Sequence, residues 1–265
     1  MTVKLIATDL DGTIVRSDGE ISDRTRRALA AAEEAGLLVV FVTGRPPRWM
    51  KPVSDATGHR GLAICANGAV VYDLHTETVV QEHPLEAAVA RKLAEAIRGV
   101  VPGVAFAAEG GGRFGHEPHY TARFEMPPDV LVAELHDLLD RPVTKLLARH
   151  TTMPTSELLA AAEEVVGDLA TLTHATFSET DGLLEISAAG VTKAFGLERL
   201  AAEHGFTAED VIAFGDMPND LPMLAWAGHA VAVGNAHPDV LAIADEVTAT
   251  NDDDGVALVI ERLLA

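Results

Sequence analysis

The run Val3-Lys4-Leu5-Ile6-Ala7-Thr8 stops at Asp9-Leu10-Asp11-Gly12-Thr13, and this junction constrains the chain more than any other feature. A short, mostly apolar run closed by turn residues reads as a buried strand. Residues two apart on a strand point the same way, so Asp9 and Asp11 can converge at its carboxyl end. Open α/β sheets bind their ligands at that end. Two neighbouring carboxylates repel each other. A divalent cation relieves the repulsion and leaves one carboxylate free to act as a nucleophile. The competing and weaker reading of the pentapeptide is an ordinary strand–turn built from Asp and Gly.

Two more apolar runs and one helix start carry chemistry-bearing residues. Leu37-Leu38-Val39-Val40-Phe41-Val42 leads into Thr43-Gly44-Arg45. There a hydroxyl, an approachable backbone N–H and a fixed cation together suit an oxyanion. As an isolated signal this is also a common loop cap. Gly190-Val191-Thr192-Lys193 places Thr192 as the cap of a helix and Lys193 in its first turn. The helix dipole favours anions at that end, so a lysine there suggests another task, such as holding a phosphate. On its own it is a solvated surface lysine. Val211-Ile212-Ala213-Phe214 leads into Gly215-Asp216-Met217-Pro218-Asn219-Asp220. Pro218 suits a helix start, and Asp216 and Asp220 could share one hard divalent ion such as Mg²⁺. A capped helix start with dipole-matched acids would account for Asp220, less so for the whole hexapeptide.

These four motifs, in this order and at these strand ends, resemble the haloacid dehalogenase-like hydrolase superfamily. Asn67-Gly68-Ala69, Val231-Ala232-Val233-Gly234-Asn235-Ala236 and Asp254-Gly255-Val256-Ala257 narrow the resemblance to its Cof-like branch, whose cap lies between the second and third motifs. The resemblance covers nearly the whole chain and is weakest from about residue 84 to 184. Ala194 departs from it where many relatives have Gly. The resemblance implies a Mg²⁺-dependent phosphatase of small phosphomonoesters, sugar phosphates or similar metabolites, working through an aspartyl-phosphate. It makes Asp9 the nucleophile and Asp11 the general acid and base. Asp9, Asp216, Asp220 and the backbone carbonyl of Asp11 form the metal site, with Asp220 ordering the metal's waters. Thr43, the Gly44 N–H and Lys193 bind the phosphoryl oxygens. Asn219 contacts phosphate or the metal's shell, Gly12 and Thr13 place the loop after the nucleophile, and Arg45 and Asn67 line the cap-facing rim. A phosphomutase acting on sugar phosphates is the alternative enzyme. A catalytically silent sugar-phosphate-binding protein is the alternative outside catalysis, although no catalytic residue is missing.

The pattern along the chain implies an α/β fold, a doubly wound Rossmann-like parallel sheet with an inserted α+β cap. Strands over 3–8, 37–42 and 62–66 alternate with helices over 22–35 and 47–57. Asn67-Gly68 is a hairpin signal joining that last strand to one over 69–72, which can pair with 78–81. The pattern changes near Pro84. Helices then read over 85–98, 129–139 and 155–166, with strands over 104–108, near 113–114, and over 143–148, 169–176 and 182–186. The expected division is therefore a discontinuous catalytic core, 1–83 and 187–265, around a cap of residues 84–186.

The net charge of −20 argues against a nucleic-acid surface and makes Lys193 and a metal more necessary for drawing in an anionic substrate. Cys65 is the single cysteine, so no internal disulfide forms, which fits a reducing cytoplasm; its place in an apolar strand makes it core. No signal peptide and no run long enough for a membrane span are expected. The partner is then a small phosphorylated metabolite, the chain a monomer or weak homo-oligomer. Gly110, Gly112 and Gly115 match a dinucleotide fingerprint, but Glu117-Pro118-His119-Tyr120 disfavours the helix that must follow, so a hairpin loop is expected. His116 and His119 lack cysteine partners for zinc. Trp49 and Trp226 read as helix packing, and Asp252-Asp253-Asp254 as a solvated loop with a helix cap.

Overall fold

The computed structural model describes residues 3–122, 126, 130–174, 178 and 180–265. It divides into two compact units, Met1–Gln81 with Thr192–Ala265, and Glu82–Val191. In chain order the first stretch holds β1 (Leu5–Thr8), α1 (Asp23–Glu34), β2 (Leu38–Val42), α2 (Met50–Thr57), β3 (Leu62–Cys65), β4 (Val70–Asp73) and β5 (Thr78–Glu82). The middle stretch holds α3 (Ala87–Val100), β6 (Ala105–Gly110), β7 (Arg113–His116), β8 (Leu131–Val132), α4 (Leu135–Leu138), β9 (Lys145–His150), α5 (Thr155–Val166), β10 (Ala170–Thr173) and β11 (Gly182–Ala188). The last stretch holds α6 (Lys193–Glu203), β12 (Val211–Gly215), α7 (Leu221–Trp226), β13 (His229–Ala232), α8 (Pro238–Ile243), β14 (Glu246–Val247) and α9 (Gly255–Leu264).

The first unit is the doubly wound α/β sheet that the sequence predicts. Its strand order is β14-β13-β12-β1-β2-β3-β4-β5. From β14 to β3 the strands run parallel, and β4 turns back antiparallel to β3. Every residue of β1 is fully buried, as befits a strand covered on both faces. The chain winds outward from β1 in both directions, so β1 and β12 flank the point where the strand order reverses. A crevice forms at the carboxyl ends of strands at such a point. Helix α1 starts where Ser22 accepts the Thr25 N–H at 3.0 Å, and it buries Ala28, Leu29 and Ala32. Asn67-Gly68 does not make a two-residue hairpin turn: Cys65 pairs with Val70, leaving a connection of residues 66–69 in which Ala66, Asn67 and Gly68 all have positive φ.

The second unit is a six-stranded sheet of order β10-β11-β9-β6-β7-β8, antiparallel except for β7 beside β8. Helices α3, α4 and α5 bury one face, with Leu93, Ile97, Phe106, Leu146, Leu158 and Ile186 at its centre. The glycine-rich segment is the β6–β7 hairpin, with Gly111 and Gly112 at positive φ, and the described residues directly after it, 117–122, hold no helix. His116 is buried and bonded through Nδ1 to the Glu117 carbonyl oxygen at 2.7 Å. The helix expected over 129–139 is corrected: β8 and a single turn, α4, occupy its described part, and Asp129 lies outside the described residues. Leu131 and Val132 pair instead with Gly115 and His116, which the local sequence does not announce. Of the strand expected over 169–176, residues 175 and 176 lie outside the described residues. No helix of the described residues is long and apolar enough to cross a membrane.

Candidate active site

Asp9 leaves the end of β1, where its N–H donates to the Phe214 carbonyl oxygen of β12 at 3.0 Å. Asp216 leaves the end of β12, so the sheet register alone brings these two side chains together. The turn Met217-Pro218-Asn219-Asp220 then folds back. Asp220 Oδ2 accepts the backbone N–H groups of Asp216 and Met217, each at 3.0 Å. Gly215 permits this return, because a Cβ there would lie within 2.6 Å of the Asp220 Cβ.

Lys193 joins the two halves. Thr192 caps α6 by accepting the Phe195 N–H at 3.2 Å, and Lys193 follows as the first helical residue, 1% exposed. Its Nζ donates to Asp9 Oδ1 and to Asp220 Oδ1, both at 2.6 Å. Burial works against its charge, yet Asp220 and Asp9 more than offset that, and its pKa stands above the usual lysine value. Carboxylate oxygens of Asp9, Asp216 and Asp220 all lie within 4.8 Å of one another. Burial pushes the Asp9 carboxyl well above the ordinary range against the pull of Lys193, with Asp220 and Asp216 adding to the rise. Burial likewise pushes Asp216 up to about 7, helped by Asp220 and opposed by the Thr13 hydroxyl, which donates to Asp216 Oδ1 at 2.9 Å.

This cluster fits a divalent cation. Lys193 answers only one of three buried negative charges, and the donors are hard carboxylate oxygens. Asn219 Oδ1 is a further buried oxygen without a hydrogen-bond partner, while its Nδ2 donates to Asn67 Oδ1 at 3.3 Å.

Asp11 stands outside the cluster. Its side chain is 58% exposed and takes a two-pronged ion pair from Arg45, Nε to Oδ2 at 2.8 Å and Nη2 to Oδ1 at 2.5 Å. One carboxylate of the opening motif is therefore buried beside cations, while the other meets solvent. Gly12 follows Asp11 at φ +80°, lying so close to Asp216 that a Cβ would overlap its carboxylate. Thr43 is fully buried at the end of β2 with Gly44 beside it, and its Oγ1 accepts the Arg45 N–H at 3.1 Å. Asn67 is also buried, and its N–H donates to the Thr43 carbonyl oxygen at 3.0 Å. The structure thus brings Asp9, Asp216, Asp220, Lys193 and Thr13 together, links Asn67 to both Asn219 and Thr43, and directs Arg45 onto Asp11. Sequence reasoning gave Thr13 only the task of placing the loop, and its hydrogen bond to Asp216 is new. It also passed over Asn251 and Arg16, which hold the loop after Asp11.

Comparison with known proteins gives the family. A family profile for haloacid dehalogenase-like hydrolases matches residues 6–260. The chain is 30% identical to the 5-amino-6-(5-phospho-D-ribitylamino)uracil phosphatase YitU of Bacillus subtilis, over 96% of this chain and 94% of that protein. It is also 30% identical to the pyridoxal phosphate phosphatase YbhA of Escherichia coli, over 97% of each. Among solved structures, a haloacid dehalogenase-like hydrolase from Bacteroides thetaiotaomicron superposes with a TM-score of 0.76 at 30% identity, covering 99% of this chain and 100% of that one.

Proposed function

Because the chain belongs to the haloacid dehalogenase-like hydrolases and is a phosphatase of that family, we propose that it hydrolyses small phosphomonoesters through a phosphorylated Asp9. One observation carries this reading: the buried Asp9 beside Lys193, set against the exposed Asp11 two residues on. The first arrangement suits a nucleophile inside an electrostatic cradle. The second suits a group that must trade protons with an alcohol and then with water.

Asp9 attacks phosphorus in line, an Asp9 oxygen–phosphorus bond forms, and the ester oxygen departs with a proton from Asp11. Asp11, now a carboxylate, takes a proton from water. That water attacks phosphorus, releasing inorganic phosphate and restoring Asp9. The Thr43 hydroxyl, the Gly44 N–H and Lys193 hold the phosphoryl oxygens, where charge must be stabilised throughout. Asn219 and Asn67 brace that end of the site through their mutual hydrogen bond. The carboxylates of Asp9 and Asp216 and the backbone carbonyl of Asp11 would hold Mg²⁺, with Asp220 bracing Asp216 through its backbone N–H. When bound, Mg²⁺ supplies charge neutralisation at the paired carboxylates and the phosphoryl group.

None of these residues lies in 84–186, and we assign that segment, as a cap, the choice of leaving group. The relatives suggest the class of substrate, since one is named for pyridoxal phosphate and another for a ribitylaminouracil phosphate. Sugar phosphates belong to the same class of small, polar monoesters. A single buried thiol, Cys65, is consistent with work in a reducing cytoplasm. The test is a panel of phosphorylated metabolites incubated with Mg²⁺ and scored for phosphate release. We expect turnover of several small monoesters. Release from none of them, with the chain folded and metal present, would overturn the reading.

A further inference from the structure

The loop 12–17 follows directly on Asp11, and it is held from the ends of two other strands. After β13, Asn235 donates through Nδ2 to the Gly12 carbonyl oxygen at 2.8 Å. Its Oδ1 accepts the Asn251 backbone N–H at 2.9 Å. After β14, the buried Asn251 side chain donates to the Val15 carbonyl oxygen at 2.9 Å. Arg16 then reaches Asp254 at 2.6 Å, and the Ser17 N–H reaches Asp252 at 2.9 Å. The acid run is the largely exposed loop before α9 that the sequence presents, and it also anchors the loop 12–17.

The anchor is itself stiff. Thr248 Oγ1 donates to the Gly255 carbonyl oxygen at 2.9 Å, and the Gly255 N–H donates to the Thr250 carbonyl oxygen at 3.0 Å. Asp254 is left-handed at φ +61°, a conformation that Asp tolerates better than most residues but that local bonding must hold. Asn235 is a planar amide with its donor on Gly12 and its acceptor on Asn251, so one side chain couples both loops. An exposed carboxylate such as Asp11 is not located by packing. Its position follows from the backbone that carries it, together with the Arg45 ion pair.

We propose that Asn235 and Asn251 are positioning residues for Asp11: through Gly12 and Val15 they set where its carboxyl meets the departing ester oxygen, without touching substrate. This rests on the reading of Asp11 as the general acid, and the experiment separates the two. Wild type, Asp11→Asn, Asn235→Ala, Asn235→Asp and Asn251→Ala are compared on p-nitrophenyl phosphate and on glycerol phosphate. The readout is kcat/KM, which covers steps only up to departure of the alcohol. Nitrophenolate leaves without a proton, whereas an alkoxide needs one, and a general acid is worth roughly 10²–10⁴-fold.

Asp11→Asn should therefore lose activity on glycerol phosphate far more than on p-nitrophenyl phosphate. The Asn235 and Asn251 variants should show the same split to a smaller degree, roughly tenfold or more on the alkyl ester. Asn235→Asp keeps side-chain size and the acceptor for Asn251, so a folded variant exists even where alanine loosens the loop. Equal losses on both esters in the asparagine variants, with a clear split in Asp11→Asn, overturn the positioning role. No split in Asp11→Asn instead removes the general-acid reading, and the positioning role falls with it.

Discussion

At the scale of single residues, the site turns on two aspartates with opposite surroundings. Asp9 is enclosed, bonded to Lys193 and crowded by Asp216 and Asp220, while Asp11 faces solvent against Arg45. Asp9→Asn removes one of the mutually repelling charges, so it should leave thermal stability unchanged or raised. It should abolish turnover, because a neutral amide cannot attack phosphorus. More than a trace of wild-type kcat in that variant would contradict the assignment. Asp9, Asp11, Arg45 and Asp216 were legible in the sequence because each lies just after an apolar run, and Lys193 because it opens a capped helix. Asn235 and Asn251 carried no readable task. Asn235 grips a backbone carbonyl 223 positions away, and a carbonyl belongs to every residue type. Thr13 was legible as part of the motif, but its bond to Asp216 depends on β1 pairing with β12.

At the scale of elements, the placing of Lys193 depends on how closely α6 approaches the connection after β3. Gly68, at φ +103°, lies where a Cβ would overlap the Thr192 carbonyl oxygen. Gly196, one turn along α6, would carry its Cβ to 2.7 Å from Ile64 Cγ2. Two glycines thus let the first turn of the helix settle onto β3 and deliver Lys193 to Asp9. Gly68→Ala adds both a clash and an unfavourable φ, for a cost of about 1–3 kcal/mol. It should push the start of α6 outward, lowering both kcat and the thermal midpoint. Unchanged kinetics would show that Lys193 is placed by something other than this contact. Helices with a full apolar stripe were readable, and α5 spans Thr155–Val166, the residues its periodicity marks. The segment after residue 129 was not readable. Val130-Leu131-Val132 suits strand as well as helix, and its strand partner, β7, lies outside any local window.

At the scale of the whole molecule, a chain of net charge −20 must attract an anion and then hold its phosphoryl group among carboxylates. Lys193 alone leaves the cluster negative, so turnover should stop when divalent ions are chelated and return when Mg²⁺ is restored. Ca²⁺ should not replace it, because its larger and looser coordination misplaces Asp9 relative to phosphorus. Full activity in excess chelator would contradict the metal role of Asp216. The alternation of strand and helix and the break in pattern near Pro84 were visible from sequence because apolar periodicity changes there. The sheet order of the second unit was not visible, since its central strand β9 pairs with β6 and β11, neither of them its neighbour in the chain. In the proposed reaction the phosphoryl group rests on Asp9 before water takes it. The stereochemical course at phosphorus tests this most directly, using an isotopically chiral phosphorothioate ester. Two successive in-line displacements, first by Asp9 and then by water, predict overall retention of configuration. Inversion would mean a single displacement by water, and Asp9 would not be the nucleophile.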